Sequence, residues 1–138
     1  MFTRILLPVD LTEKNDAALA AARQLLGAGG EVILLHVIET IADAPFEDMK
    51  DFYQRLEDKA RSRLAVLADS FDSEEASVEQ HITYGRRARE IVAFAGDKQV
   101  DLILMSSRPL DRDKPAAAWG SISHQVAILA ECPVLLLK

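Results

Sequence analysis

Cysteine is almost absent from this chain of 138 residues: there is one, Cys132, in an apolar stretch just before Pro133. A lone cysteine closes no internal disulfide, so the fold must stand on its core, and the chain suits a reducing cytosol. Long hydrophobic runs are missing too. The opening MFTRILLPVD holds an apolar run of only about five residues before Asp10, too short for a signal peptide or a membrane span. These shortfalls predict a cytoplasmic protein with no membrane partner. Positive charge is also in short supply, with a net balance of −6. That argues against nucleic acid as a partner, because phosphodiester backbones need a basic face. A small anion held by local dipoles and arginines remains compatible with it.

The familiar chemical signatures are missing as well. Nothing matches the P-loop G-x-x-x-x-G-K-S/T, and there is no G-x-G-x-x-G. GAGG at 27–30 follows a helical pattern and precedes a strand, so it reads as a turn at the amino edge of a sheet. His36, His81 and His124 lack metal-ligand spacing. Ser121 and His124 stand one helical turn apart, but no G-x-S-x-G elbow accompanies them and no third group is evident to orient the histidine. No metal centre and no catalytic residue are expected, and no internal repeat or linker divides the chain.

What is present is alternation. Apolar runs at 4–9, 31–37, 77–84, 101–106 and 133–137 read as five strands, the third as an edge. Between them lie four helical stripes. The first carries Ala18, Ala21, Ala22 and Leu25, with Thr12 as N-cap and Gly27 as the stop; the second runs from Met49 through Tyr53, Leu56, Ala60 and Leu64 to Leu67. The third carries Ala88, Ile91, Val92 and Ala95, and the fourth Ile122, Val126 and Leu129. Residues 38–46 are the best candidate for a mobile loop. Strand–helix alternation with continuously apolar strands predicts an α/β fold: one doubly wound, Rossmann-like domain over 1–138, its parallel sheet covered by helices on both faces. In such sheets ligands bind outside the carboxyl ends of the strands. The loops after the first, second and fourth strands are therefore the places to look: PVD at 8–10, HVIET at 36–40, and the stretch SSRPLDRDKPAAAWGSIS at 106–123.

That last stretch is the most informative. Gly120, Ser121 and Ser123 open a helix, whose first amides and dipole attract anions. From the tetrapeptide GSIS alone, plain capping by Ser121 is the favoured reading. Arg108, Arg112 and Lys114 add positive charge, partly cancelled by Asp111 and Asp113. Asp10 could accept hydrogen bonds from a ribose or a base, or cap the following helix. The basic cluster RRAR at 86–89 follows an outer strand and reads as a solvated, salt-bridged face.

RILLPVD, LLHVIE, GRRAREI, DLILMSSR and GSISHQVAILAECPVLLLK together resemble the universal stress protein family from end to end. The resemblance implies a five-stranded sheet in the order 3-2-1-4-5, ATP binding in many members, and dimerisation through the last strand. It places Pro8, Val9 and Asp10 beside adenine and ribose, and Val37 at a backbone contact to the base. It places Met105, Ser106 and Arg108 beside ribose and phosphates, and Gly120, Ser121, Ile122 and Ser123 at the phosphates. The family pattern is Gly-x-x-Gly, nine residues, then Gly-Ser or Gly-Thr. Here Ser106 and Pro109 replace the two glycines, and ten residues, 110–119, precede Gly120. Proline offers no N–H to a phosphate, and serine restricts close backbone approach. The S-x-R-P form nevertheless resembles one subgroup that holds nucleotide. Arg87 stands where the family has a helix-starting proline.

The expected function is thus a cytoplasmic, non-enzymatic stress-response module. It would bind ATP or a related adenine nucleotide, with or without Mg2+, and form a homodimer through the C-terminal strand. The alternative is a ligand-free dimeric interaction protein of the same family. Slow nucleotide hydrolysis is a minor third reading.

Overall fold

Three consecutive residues, Ile5, Leu6 and Leu7, are wholly shielded from solvent, so the first strand is covered on both of its faces. The computed structural model describes residues 1–11, 15–71, 76–107, 113 and 121–138. Among them are five strands: β1 (Phe2–Pro8), β2 (Leu26–Ile38), β3 (Ser77–Tyr84), β4 (Leu102–Ser106) and β5 (Val134–Leu137). Four α-helices alternate with them: α1 (Asp16–Leu25), α2 (Lys50–Asp69), α3 (Arg87–Asp97) and α4 (Ile122–Leu129). All strand pairs are parallel, and the order is β3-β2-β1-β4-β5. This is the doubly wound α/β architecture that the alternation predicts.

The strand pleat sorts the core into two layers. Ile5, Leu7, Val32, Leu34, Leu102 and Leu104 point toward α1 and α2, where Leu19, Ala22, Leu64 and Leu67 meet them. Leu6, Ile33, Leu35, Ile103 and Met105 point the other way, toward Ala88, Ile91 and Ala95 of α3 and Val126 of α4. β3 lies at an edge and is only half-buried along much of its length, in keeping with its weaker apolar pattern.

Several boundaries differ from the sequence reading. α1 starts at Asp16 with Asn15 at its N-cap; Thr12 lies outside the described residues. The helix is stopped by Leu26 turning extended rather than by Gly27, and β2 begins there. The register along β1 jumps from Phe2↔Leu26 to Arg4↔Glu31, so GAGG is a bulge within the strand's entry rather than a separate turn. Gly29 takes a left-handed φ of 76°, and a Cβ on Gly30 would sit 2.9 Å from the Gly27 carbonyl oxygen. In α4, Leu129 is 57% exposed beside Ile128 at 72%: the last turn has passed beyond the layer that Val126 packs into. The segment 39–45 is not free. Tyr53 accepts the Ile41 amide at 2.8 Å on its hydroxyl, and Phe46 stacks on the Tyr53 ring at 5.2 Å.

Asp101 ties the amino ends of β1 and β4 together. Its carboxylate accepts from the Thr3 amide at 2.8 Å, the Thr3 hydroxyl at 3.0 Å and the Arg4 amide at 2.9 Å. Burial pushes this carboxyl up, but the Thr3 and Arg4 donors together outweigh it and hold it below its ordinary value of 3.8. A lowered folded-state pKa stabilises the fold above the ordinary value, and that contribution is lost as pH falls through the folded one. Asp101→Asn is expected to cost about 1–2 kcal/mol at neutral pH, after allowance for solvent screening at this edge. Urea titrations of the two proteins should converge as pH falls below 3.8. A gap unchanged at low pH would count against this account.

Candidate functional site

The winding reverses between β1 and β4, so their carboxyl ends emerge side by side. At the end of β1, Pro8 pairs with Leu35, and the Val9 amide continues the ladder by donating to the Leu35 carbonyl at 2.9 Å. The Val9 carbonyl meets His36 Nδ1 at 2.9 Å. A carbonyl can only accept, so Nδ1 carries the proton and His36 acts as a clamp between two strand ends. Asp10 follows with an exposed side chain. Leu11 then adopts φ 68°, a left-handed conformation that is strained for a branched residue.

Asn15 is the residue here that the sequence reading missed. It is polar yet only 3% exposed, and its Nδ2 donates to Asp10 Oδ1 at 3.4 Å. An asparagine at a helix start reads as a cap, yet its side chain makes no cap hydrogen bond. Only the tertiary placement reveals its link to Asp10. Val37 is 3% exposed and its side chain packs under α3 and α4, which leaves its backbone as the part available to a ligand.

At the end of β4, Met105 is buried and Ser106 half-buried, paired with Leu136 and Leu137. The Ser107 amide donates to the Leu137 carbonyl at 2.6 Å. Across from it, Ser121 is the N-cap of α4 and accepts from the His124 amide at 3.3 Å. The capping role is therefore real. Ser121 Oγ also meets His124 Nδ1 at 2.8 Å and Ser123 Oγ at 3.3 Å, and Ser123 Oγ meets Ser107 Oγ at 3.1 Å. One assignment satisfies every hydroxyl: Ser107 donates to Ser123, Ser123 to Ser121, and Ser121 to His124 Nδ1. Ser107, a second residue the sequence reading passed over, thereby joins the β4 end to the α4 start. With these hydroxyls engaged, a ligand's anionic oxygens are left the backbone amides of the first turn of α4. Ile122 opens that turn, and Ser123 is 7% exposed beneath it.

Arg108, Pro109, Asp111, Arg112, Lys114 and Gly120 lie outside the described residues. Arg86 and Arg89 are exposed at the start of α3, beyond edge strand β3; among the described residues no ion pair joins them, so the basic cluster is solvated without the expected salt bridges. Among the described residues no three His, Cys, Asp or Glu side chains gather as for a metal, and no helix is long and apolar enough to cross a membrane. A polar groove of about 440 Å³, lined by Thr3, Arg4, Gly29, Glu31, Ser77 and Gln99, lies at the opposite, amino edge of the sheet.

The model of the universal stress protein family matches residues 1–138. Universal stress protein G of Shigella flexneri is 26% identical, with the whole of both chains covered. Universal stress protein MJ0577 of Methanocaldococcus jannaschii is also 26% identical over all of this chain and 96% of its own. The solved structure of MJ0577 superposes with a TM-score of 0.84 at 28% identity, covering 100% of this chain and 96% of that one. A family protein from Arabidopsis thaliana with AMP bound shares the fold at a TM-score of 0.72 and 21% identity, covering 99% and 91%. A family-model match from the first residue to the last, over the same sheet order, carries the assignment: this chain belongs to the universal stress protein family.

Proposed function

We propose that this protein is a binding and signalling module that holds ATP or a related adenine nucleotide at the carboxyl edge of its sheet. One observation carries the reading. The Val9–Asp10 turn, the Met105–Ser107 strand end and the amide-rich start of α4 converge at the switch point. Pro8, Val9 and Asp10 would meet adenosine, with Val37 touching the base through its backbone. Met105, Ser106 and Arg108 would flank ribose and phosphates, and Gly120, Ser121, Ile122 and Ser123 would receive the phosphates at the helix terminus. Family structures in complex with cAMP, with dAMP and with AMP support the ligand class. Any Mg2+ would be held mainly by phosphate oxygens and water, with at most one or two carboxylates added. The module would work in the cytoplasm, through nucleotide-dependent choice of partner.

Isothermal titration tests it. Wild type should release or absorb heat with ATP or AMP at millimolar concentration or below, and Gly120→Val should weaken binding by about 1–3 kcal/mol. Absent heat with every adenine nucleotide would remove the reading.

The second reading is a ligand-free interaction protein that works through the β5 edge of the sheet. Among the described residues no strand pairs with the outer side of β5, and Leu135, Ile128 and Leu129 are exposed around it. A homodimer through β5 would cover them under either reading. Light scattering at micromolar concentration should report a dimer, and Leu135→Lys a monomer.

A further inference from the structure

We propose that the exposed surface formed by Ile41, Phe46 and Phe52 is a docking site for a partner protein, and that the partner presents an arginine-rich segment with bulky apolar anchors. The proposal is independent of whether the carboxyl edge of the sheet holds a nucleotide.

The surface is apolar and it is held in place. Ile41, Phe46 and Phe52 are 48%, 49% and 39% exposed, although each is a large apolar side chain. Exposed hydrophobes scattered singly are ordinary, whereas a contiguous group rimmed by polar residues marks an interaction surface. These three are grouped, because all of them are tied to one wholly buried residue, Tyr53. Phe46 lies nearly parallel to its ring at 5.2 Å, Phe52 tilts against it at 5.6 Å, and its hydroxyl accepts the Ile41 amide at 2.8 Å. Tyr84, the last residue of β3, meets Phe46 and Tyr53 at right angles, each at 5.9 Å. The group is thus ordered before a partner arrives, which lowers the entropic cost of docking.

Charge identifies the partner. From Glu39 to Phe52 the chain carries five carboxylates, Glu39, Asp43, Glu47, Asp48 and Asp51, against the single base Lys50, a net −4 where the whole chain has −6. All five are exposed, and among the described residues no ion pair joins any of them. Glu47, Asp48 and Asp51 lie in the first turns of the 3-10 helix Phe46–Met49 and of α2, where the helix dipole favours them. Glu39 and Asp43 precede both helices and have no such role. Nor do the carboxylates converge on a metal, since among the described residues no three such groups gather. An apolar surface ringed by acid repels a second copy of itself and any nucleic acid, and it attracts a segment whose bases meet the carboxylates while apolar side chains cover the rings. Arginine fits better than lysine, because a guanidinium also stacks on an aromatic face and Phe46 is half open. The surface lies on the β3 side of the sheet, at the far edge from β5, so a homodimer through β5 leaves it accessible.

The full chain is used to select binders from a phage-displayed library of random peptides, and the enriched peptides are titrated by fluorescence polarisation. They should combine arginine with tryptophan, phenylalanine or leucine, and Phe46→Ala should weaken their binding about tenfold. Glu47→Gln combined with Asp48→Asn should weaken it about threefold and flatten its dependence on salt. Both carboxylates are exposed and without an ion pair, so this variant keeps its fold, by circular dichroism, whatever Phe46→Ala does to the packing on Tyr53. Glu131→Gln, an exposed acid beside β5, should leave binding unchanged. A selection that returns no arginine-rich sequence overturns the proposal. So do peptides that bind the Glu47→Gln, Asp48→Asn protein as tightly as wild type at every salt concentration. Light scattering separates a partner from a second copy: Phe46→Ala should keep the oligomeric state of wild type, and a smaller particle would assign the surface to self-association and overturn the proposal.

Discussion

Replacing Tyr53 by alanine is expected to lower the unfolding free energy by about 3–5 kcal/mol, the range for deleting a large buried aromatic. Tyr53 is 1% exposed and is the largest wholly buried side chain among the described residues. Its ring is the hub of a cluster: Phe46 stacks on it at 5.2 Å, Tyr84 meets it edge-on at 5.9 Å, and Phe52 tilts against it at 5.6 Å. Its hydroxyl holds the Ile41 amide. Truncation would open a cavity and free the segment that follows β2. Tyr53→Phe separates the two contributions. It keeps the ring and loses one hydrogen bond, and since Ile41 is 48% exposed, water can replace that acceptor. A cost near 1 kcal/mol follows. Urea denaturation gives both values, and hydrogen exchange at Ile41 should quicken in both variants. A Tyr53→Phe protein as unstable as Tyr53→Ala would mean that the hydroxyl, not the ring, organises this corner.

The parts of the fold that could be read from the chain are those where burial imposes a period. β1, β2 and β4 are buried on both faces, so their residues form continuous apolar runs. α2 keeps Tyr53, Ala60, Leu64 and Leu67 on one side because only that side meets the sheet. Where backbone geometry or tertiary contact decides, the period is silent. GAGG looks like a turn because glycines permit left-handed φ, but a bulge in a strand entry uses the same freedom. Leu129 keeps helical spacing with Val126 yet is exposed, since spacing cannot say where a helix runs off the sheet.

The site divides in the same way. PVD and GSIS stand out in the sequence as candidates because the switch-point rule and helix-terminus chemistry name a location and a residue type. The capping function of Ser121 was within reach of that reasoning, and the start of α4 bears it out. Asn15 was not visible. In the sequence it is one more polar residue in a charged stretch, and its meaning comes from burial and from Asp10 five positions earlier. Ser107 was hidden for a related reason: its partner, Ser123, lies 16 residues away on another element.

Leu104→Ala should cost about 2–5 kcal/mol, whereas Leu135→Ala, the same chemical change on the neighbouring strand, should cost under about 1 kcal/mol in an isolated chain. The two residues are register partners across β4 and β5. Leu104 is fully shielded and packs into the layer under α1 and α2, whereas Leu135 is 36% exposed on the outermost strand. Removing Leu104 leaves a void that the close-packed layer can only partly fill, and it loosens the strand that delivers Met105, Ser106 and Ser107 to the site. Removing Leu135 exposes little that water does not already touch. Urea midpoints at two protein concentrations turn this contrast into a test of assembly. If Leu135→Ala proves nearly as costly as Leu104→Ala, and the cost grows with concentration, then β5 is covered in solution by a second copy. If the cost is small at every concentration, the edge stands open, and the surface around Ile128, Leu129 and Leu135 takes no part in self-association.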